Sequence, residues 1–229
     1  MISLRRRLRA ATTALALACL LGPLAAAPAS AAPAPPAELT HSRRALPTPP
    51  SAAQVRTEIE DLVVEAPHSM DGYSRAKFPH WIGQGGTCDT REIVLARDGQ
   101  DVVADSQCHA VSGTWTSPYD DKMFTNARDL DIDHMVPLAN AWRSGADGWD
   151  TARRKAFAND LQHSQLVAVS ASSNRSKGDQ SPDQWKPPLV SYWCEYARAW
   201  GDTKYVYGLR VTQPEKDALD SMLDTCPTG

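Results

Sequence analysis

Asp131-Ile132-Asp133-His134-Met135-Val136-Pro137-Leu138 is the stretch on which the architecture of this chain turns. Asp131–Val136 reads as a strand, and Pro137 stops it because proline brings no N–H to a ladder. Asp131 and Asp133, two residues apart, fall on one strand face. Downstream, Leu138 to about Arg143 and Thr151 to about Asn159 read as helices, separated by Gly145 and Gly148. A second strand-like run, Gln165–Val169, leads through a turn of small residues into Asn174-Arg175-Ser176-Lys177-Gly178-Asp179, some forty residues beyond His134. A short helix is expected after Asn174. The resulting order is strand, helical insertion, strand, helix.

The residue types brought together by that order are those that breaking a phosphodiester requires. A water must lose a proton to a base within hydrogen-bond reach, and positive charge must meet the phosphate oxygens. His134 can be the base, since imidazole titrates near neutrality. Asp133 and Asn174 offer hard oxygens suited to one divalent cation, Mg2+ or Mn2+, which keeps several waters and takes few protein ligands. Arg175 and Lys177 add cationic donors for the phosphate backbone. Each residue also has an ordinary reading. A strand histidine is often a hydrogen-bonded structural residue, and Asn174 suits a helix cap. Arg175 and Lys177 suit a solvated helix face, and Asp179 suits a surface turn before Pro182.

At these residues the sequence resembles the HNH branch of the His-Me finger (ββα-metal) endonucleases. It is most similar to a secreted bacterial type related to the C-terminal domain of GmrSD restriction enzymes. The Asp-His-x-Val-Pro and Asn-Arg-x-Lys-x-Asp strings also resemble those of the HNH domain of CRISPR effector nucleases. The resemblance spans about residues 131–185 and implies Asp133 and Asn174 as metal ligands, His134 as general base, and products with 5′-phosphate and 3′-hydroxyl ends. Asp131 is expected to orient the metal's surroundings without binding it. The family's middle Asn, which braces the loop holding the base, has no clean counterpart. Gln165 stands at that offset, with His163 and Asn159 nearby. The family's Cys-x-x-Cys zinc pair is missing from the sequence, and no structural zinc is expected.

The amino terminus points to export. Arg5, Arg6, Arg7 and Arg9 precede an apolar run from Ala10 to Leu24 and then Ala29-Ser30-Ala31, the layout of a secretory signal cleaved after Ala31. Lipidation at Cys19 is the alternative, with a poor approach sequence. No other apolar run nears the ~20 residues needed to span a bilayer, so an extracellular protein without stable membrane association is expected. Residues 32–50, rich in Pro and Ala, read as a flexible leader, and residues 51–229 as one nuclease domain. Loss of the signal removes four arginines and no acid, taking the formal charge from −3 to about −7. Extended duplex binding normally shows a basic footprint, so an acidic chain argues for a small cleft with local cations. Arg143 with Arg153-Arg154-Lys155 could provide such a patch or be solvated charge.

Four cysteines remain after the signal, an even number in an oxidising compartment, with three possible pairings. Arg91–Ala96 and Asp101–Ala104 flank Arg97-Asp98-Gly99-Gln100 as in a β-hairpin, which favours Cys88–Cys108 and leaves Cys194–Cys226 to tie two C-terminal helices. Ser112–Tyr119 reads as a loop. Val55, Ile59, Leu62 and Val63 recur at helical spacing. Leu189, Trp193, Tyr196, Ala197 and Trp200 mark one face of a later helix, and Thr212-x-x-Glu215 is a capping box opening a last helix to Cys226. Tyr73, Phe78 and Trp81, with Arg75 and Lys77 among them, read as core rings, nucleobase stacking being the alternative.

The expected fold is α+β: a ββα-metal core with an added β-hairpin and flanking helices, stapled by disulfides. The expected activity is hydrolysis of DNA, with RNA as a second substrate and no protein partner. Two other classes compete: a catalytically inactive secreted binding module, and a hydrolase of another substrate using His134 with a serine. The chain has no Gly-x-Ser-x-Gly string to support the latter.

Overall fold

Side-chain caps set where most of the helices begin. The computed structural model describes residues 47–227; the signal sequence and most of the leader lie outside them. Ser51 accepts the Gln54 N–H at the start of α1 (Ala52–Asp61), which buries Val55 and Ile59. Leu62 is already extended, so Val63 leaves the helical period and is exposed rather than buried as expected. The leader boundary also moves. Ser164 and Arg198 donate to carbonyls of residues 47, 49 and 50, and Pro49 is buried, so packing begins before Ser51.

After two short strands, β1 (Gly83–Gly85) and β2 (Cys88–Asp89), the expected hairpin strand Arg91–Ala96 is instead helix α2 (Thr90–Asp98). Asp89 caps it by accepting the Glu92 N–H, and Thr90, Val94 and Leu95 share its buried face. Local helix capping and a one-turn apolar repeat outweigh the turn signal of Arg97-Asp98-Gly99-Gln100 that suggested a strand. The hairpin lies later: β3 (Gln100–Ala104) pairs antiparallel with β4 (Ala110–Thr116), which occupies most of the expected loop, and β4 pairs with β5 (Met123–Phe124). Trp115 explains that difference. Its indole lies against Gly99 and Gly113, where a Cβ would collide with the ring, and donates to the Leu95 carbonyl at 2.8 Å. Cys108, in the β3–β4 turn, reaches Cys88 beside the start of α2, so the expected disulfide forms on different geometry.

The quoted stretch forms β6 (Leu130–His134). It is followed by α3 (Leu138–Arg143) and α4 (Thr151–Ala158), as expected, and by β7 (Leu166–Ser170). β6 and β7 are antiparallel from Leu130↔Ser170 to His134↔Leu166. Ser170 caps α5 (Ala171–Lys177), which therefore starts ahead of Asn174 instead of after it. Asn174 lies inside this helix and is not its cap. Two helices close the described chain, α6 (Trp193–Val206) and α7 (Gln213–Leu223), with the capping box of Thr212 and Glu215 formed and Cys194 bonded to Cys226.

The β6–β7 ribbon lies between two apolar clusters. Val167 and Val169 face a large one with Tyr119, Phe78, Trp142, Tyr196 and Trp200; Leu130, Ile132, Leu166 and Ala168 face a smaller one with Val94, Leu95 and Trp115. Both faces are therefore covered, which is why β7 is a continuous buried run. Its outer edge is covered too. Asp98 accepts the Ala168 N–H at 2.8 Å and Arg97 donates to the Leu166 carbonyl at 2.5 Å, so side chains replace a third strand. The result is a mixed α and β fold with two disulfides. Among the described residues, no helix is long and apolar enough to cross a membrane.

Candidate active site

Strand alternation sends the His134 side chain to the face opposite Asp131 and Asp133. His134 is buried, and its Nε2 lies 3.0 Å from the Ala158 carbonyl at the end of α4. A carbonyl only accepts, so Nε2 carries the hydrogen and Nδ1 the lone pair. Burial pushes the imidazole pKa down to about 3; the Ala158 bond opposes this, and the positive charges of Arg75 and Lys177 add to it. The ring is neutral at any physiological pH. Trp81 stacks on it, with centroids 5.6 Å apart and planes 28° from parallel, and His80 stands edge-on at 6.4 Å.

Asp133 points the other way, into the large cluster. Its Oδ2 accepts from Tyr119 Oη and from Lys177 Nζ, both at 2.5 Å. Lys177 also donates to the carbonyls of His134 and Met135, at 2.8 and 2.9 Å. Burial raises the carboxyl and lowers the ammonium, while the attraction between the two charges opposes both shifts. Lys177 is fully buried, so its expected contact with a phosphate backbone is not available. The helix that carries it packs onto β6, and the long side chain reaches inward to the one carboxylate in range. Arg175 faces outward, its side chain 78% exposed, with Nε 3.9 Å from Asp131.

Asn174 Nδ2 donates to Asp131 Oδ2 at 3.1 Å. The residue meeting Asn174 is thus Asp131, expected only to orient the metal's surroundings, while Asp133 is held by Lys177. Gln165 grips the loop that leaves His134. Its amide accepts from the Val136 N–H at 3.0 Å and donates to the Val136 carbonyl at 2.9 Å, and its own carbonyl accepts the Met135 N–H at 2.7 Å. The loop leaving His134 is clamped on both sides. His163 is elsewhere, paired with Asp160 at 2.7 Å, because Asp160 turns the chain there and collects the ring. Of the suggested basic patch, Arg143 binds Asp179, Arg153 the Tyr207 carbonyl, and Arg154 the carbonyls of Lys77, Ala146 and Trp149, while Arg153 and Lys155 remain exposed.

The donor chemistry fits a hard divalent cation. Asp131, Asn174 and the Oδ1 of Asp133, the oxygen that neither Lys177 nor Tyr119 takes, are hard oxygens on one strand face and the helix beside it. Among the described residues no three His, Cys, Asp or Glu side chains gather where they could hold a metal ion.

Sequence reasoning did not reach Tyr119 or Trp81 as neighbours of these residues. Tyr119 lay in a stretch read as loop, and Trp81 was read as core. Nothing in the spacing ties either to His134.

Comparison with known proteins gives the family of the sequence. Residues 95–221 match the family described as the C-terminal domain of GmrSD restriction endonucleases, a span that includes β6, β7 and α5. An "Uncharacterized secreted protein" of Arthroderma benhamiae is 55% identical over 184 residues, 79% of this chain and 90% of that protein. That relative is fungal, so the bacterial restriction expected from the resemblance gains no support. No solved structure matches the chain. With two disulfides and a secreted relative, the protein is extracellular. The chain belongs to the family of the GmrSD restriction endonuclease C-terminal domain.

Proposed function

We propose that this secreted protein is a metal-dependent endonuclease of the ββα-metal, HNH type, exported by a signal sequence cleaved after Ala31. The observation that carries the reading is His134: a neutral imidazole with Nε2–H anchored to Ala158, at the end of a strand whose pair leads into the helix bearing Asn174. In this reading Nδ1 takes the proton of the attacking water. Gln165 keeps the loop beside the base in place, Lys177 fixes Asp133, and Arg175 draws the substrate phosphate. Asp133, Asn174 and Asp131 would hold Mg2+ or Mn2+. That ion, when bound, supplies positive charge to the phosphate oxygens and the leaving oxygen. DNA is the proposed substrate and RNA the second.

Plasmid and RNA digestion with magnesium, manganese or EDTA tests this. His134→Ala should lose about 10²–10⁴-fold in rate, and Asn174→Ala should lose metal-dependent cleavage. Full activity in either variant removes that residue from the mechanism.

A second reading rests on Asp133 being held by Lys177 and Tyr119: a catalytically silent binding module built on this scaffold. It predicts no cleavage even with manganese, and behaviour unaltered by His134→Ala.

A further inference from the structure

Trp81 holds φ at +56°, a left-handed conformation that a bulky side chain adopts only under constraint. The constraint is visible. Asn159 donates to the Pro79 carbonyl at 2.8 Å and accepts the Ile82 N–H at 3.2 Å, gripping the segment 79–82 from both ends. The residue before it, Ala158, is the one whose carbonyl fixes His134. Base and overlying strap are thus held by neighbouring residues of one turn. The strap lies outside the family-matched residues 95–221.

Trp81 is partly buried, packed against the edge of the smaller apolar cluster, and one face of its indole covers the imidazole. Around it, His80 packs edge-on to the indole at 5.3 Å, and Arg75, exposed on the same segment, lies 3.4 Å from His80 Nε2 through its own Nε. A ring and a cation therefore stand together beside the residue proposed to activate water. Resting on the nuclease reading above, we infer that Trp81, with Arg75, forms a subsite for an unstacked nucleobase next to the scissile phosphate, making single-stranded nucleic acid the preferred substrate. A base inside a duplex has both faces covered by its neighbours, whereas an unpaired base can lie on an indole whatever its identity. The charge of the chain agrees. An acidic protein lacks the extended cationic surface that holds a duplex by counterion release, and a single strand held by one ring and one or two cations needs less.

The test compares one oligonucleotide as single strand and as duplex, and the single strand carrying an abasic residue on either side of the mapped cut. The parent, Trp81→Phe and Trp81→Ala are assayed with manganese after thermal melts establish that each is folded. The parent should favour the single strand by about tenfold or more in kcat/KM and lose about tenfold with one of the abasic strands, the range of one base–aromatic stack. Trp81→Ala should lose a similar factor on the intact strand and nothing further on the abasic one. Trp81→Phe should stay sensitive to the missing base, which keeps the question answerable if the alanine variant does not fold. A parent that cleaves strand, duplex and abasic strand equally overturns the subsite and leaves the nuclease reading standing. Undiminished abasic sensitivity in Trp81→Ala overturns it as well. A parent that cleaves no nucleic acid removes both.

Discussion

Lys177 carries a charge through the most apolar part of the molecule. It passes within 6 Å of the Tyr119, Tyr196 and Trp200 ring centres to reach Asp133. Removing one partner of such a pair leaves an unmatched buried charge, which costs more than the pair contributes. Lys177→Met should therefore destabilise the fold by about 3–5 kcal/mol, and Asp133→Asn in the same chain should recover part of that. Urea unfolding of the two single variants and the double checks it; a double variant as unstable as the sum of the singles refutes the coupling. The site residues also set a pH dependence. His134 has its pKa lowered from 6.5 to about 3 on folding, so between those values the unfolded chain binds a proton that the native chain does not. Stability therefore falls as pH drops from 6.5 toward 3, and this group contributes nothing above 6.5. Asp120 adds a second step: burial raises it, but hydrogen bonds from Ser170, Lys122 and Ser173 hold it at about 2, so its contribution is present above 3.8 and fades below. Urea midpoints of the metal-free protein from pH 8 to 4 should decline below 6.5, and His134→Gln should flatten the decline.

The strand pair and helix α5 place the site, and the surrounding elements hold them. Two of these are covalent staples. Cys194–Cys226 ties the start of α6 to the end of α7 across 32 residues of sequence, restricting the unfolded chain mainly at that length. Replacing both cysteines by serine should remove about 3–4 kcal/mol of stability while leaving the far-UV spectrum unchanged. An unaltered thermal midpoint contradicts this. Within the same pair of helices, Lys204 is buried against Glu215 at 3.0 Å and Ser144 at 2.7 Å, so α3, α6 and α7 share one polar junction. The helices of this region were legible in advance because capping and periodicity are local. The α2 segment was not: Arg97-Asp98-Gly99-Gln100 read as a hairpin turn, and the helix is held by the face it buries beneath Trp115.

At the scale of the whole molecule, two apolar clusters hold the β6–β7 ribbon between them, and this arrangement assigns each site residue its surroundings. Alternation along β6 gave Asp131 and Asp133 one face and His134 the other. It could not tell which face would meet Tyr119, Tyr196 and Trp200. That outcome turned Lys177 from an expected phosphate donor into a buried strut and left Arg175 as the outward cation. Export and the motif pair around His134 and Asn174 followed from local chemistry: charge beside an apolar run, and residue types at fixed spacing; thiol parity left three pairings open, and Cys88–Cys108 formed without the hairpin that favoured it. The partners of those residues did not. Asp131 against Asn174, Gln165 against Val136 and Trp81 over His134 join positions 29 to 53 residues apart. Such contacts exist only once distant segments compete for the same buried volume, and no local pattern records the result of that competition.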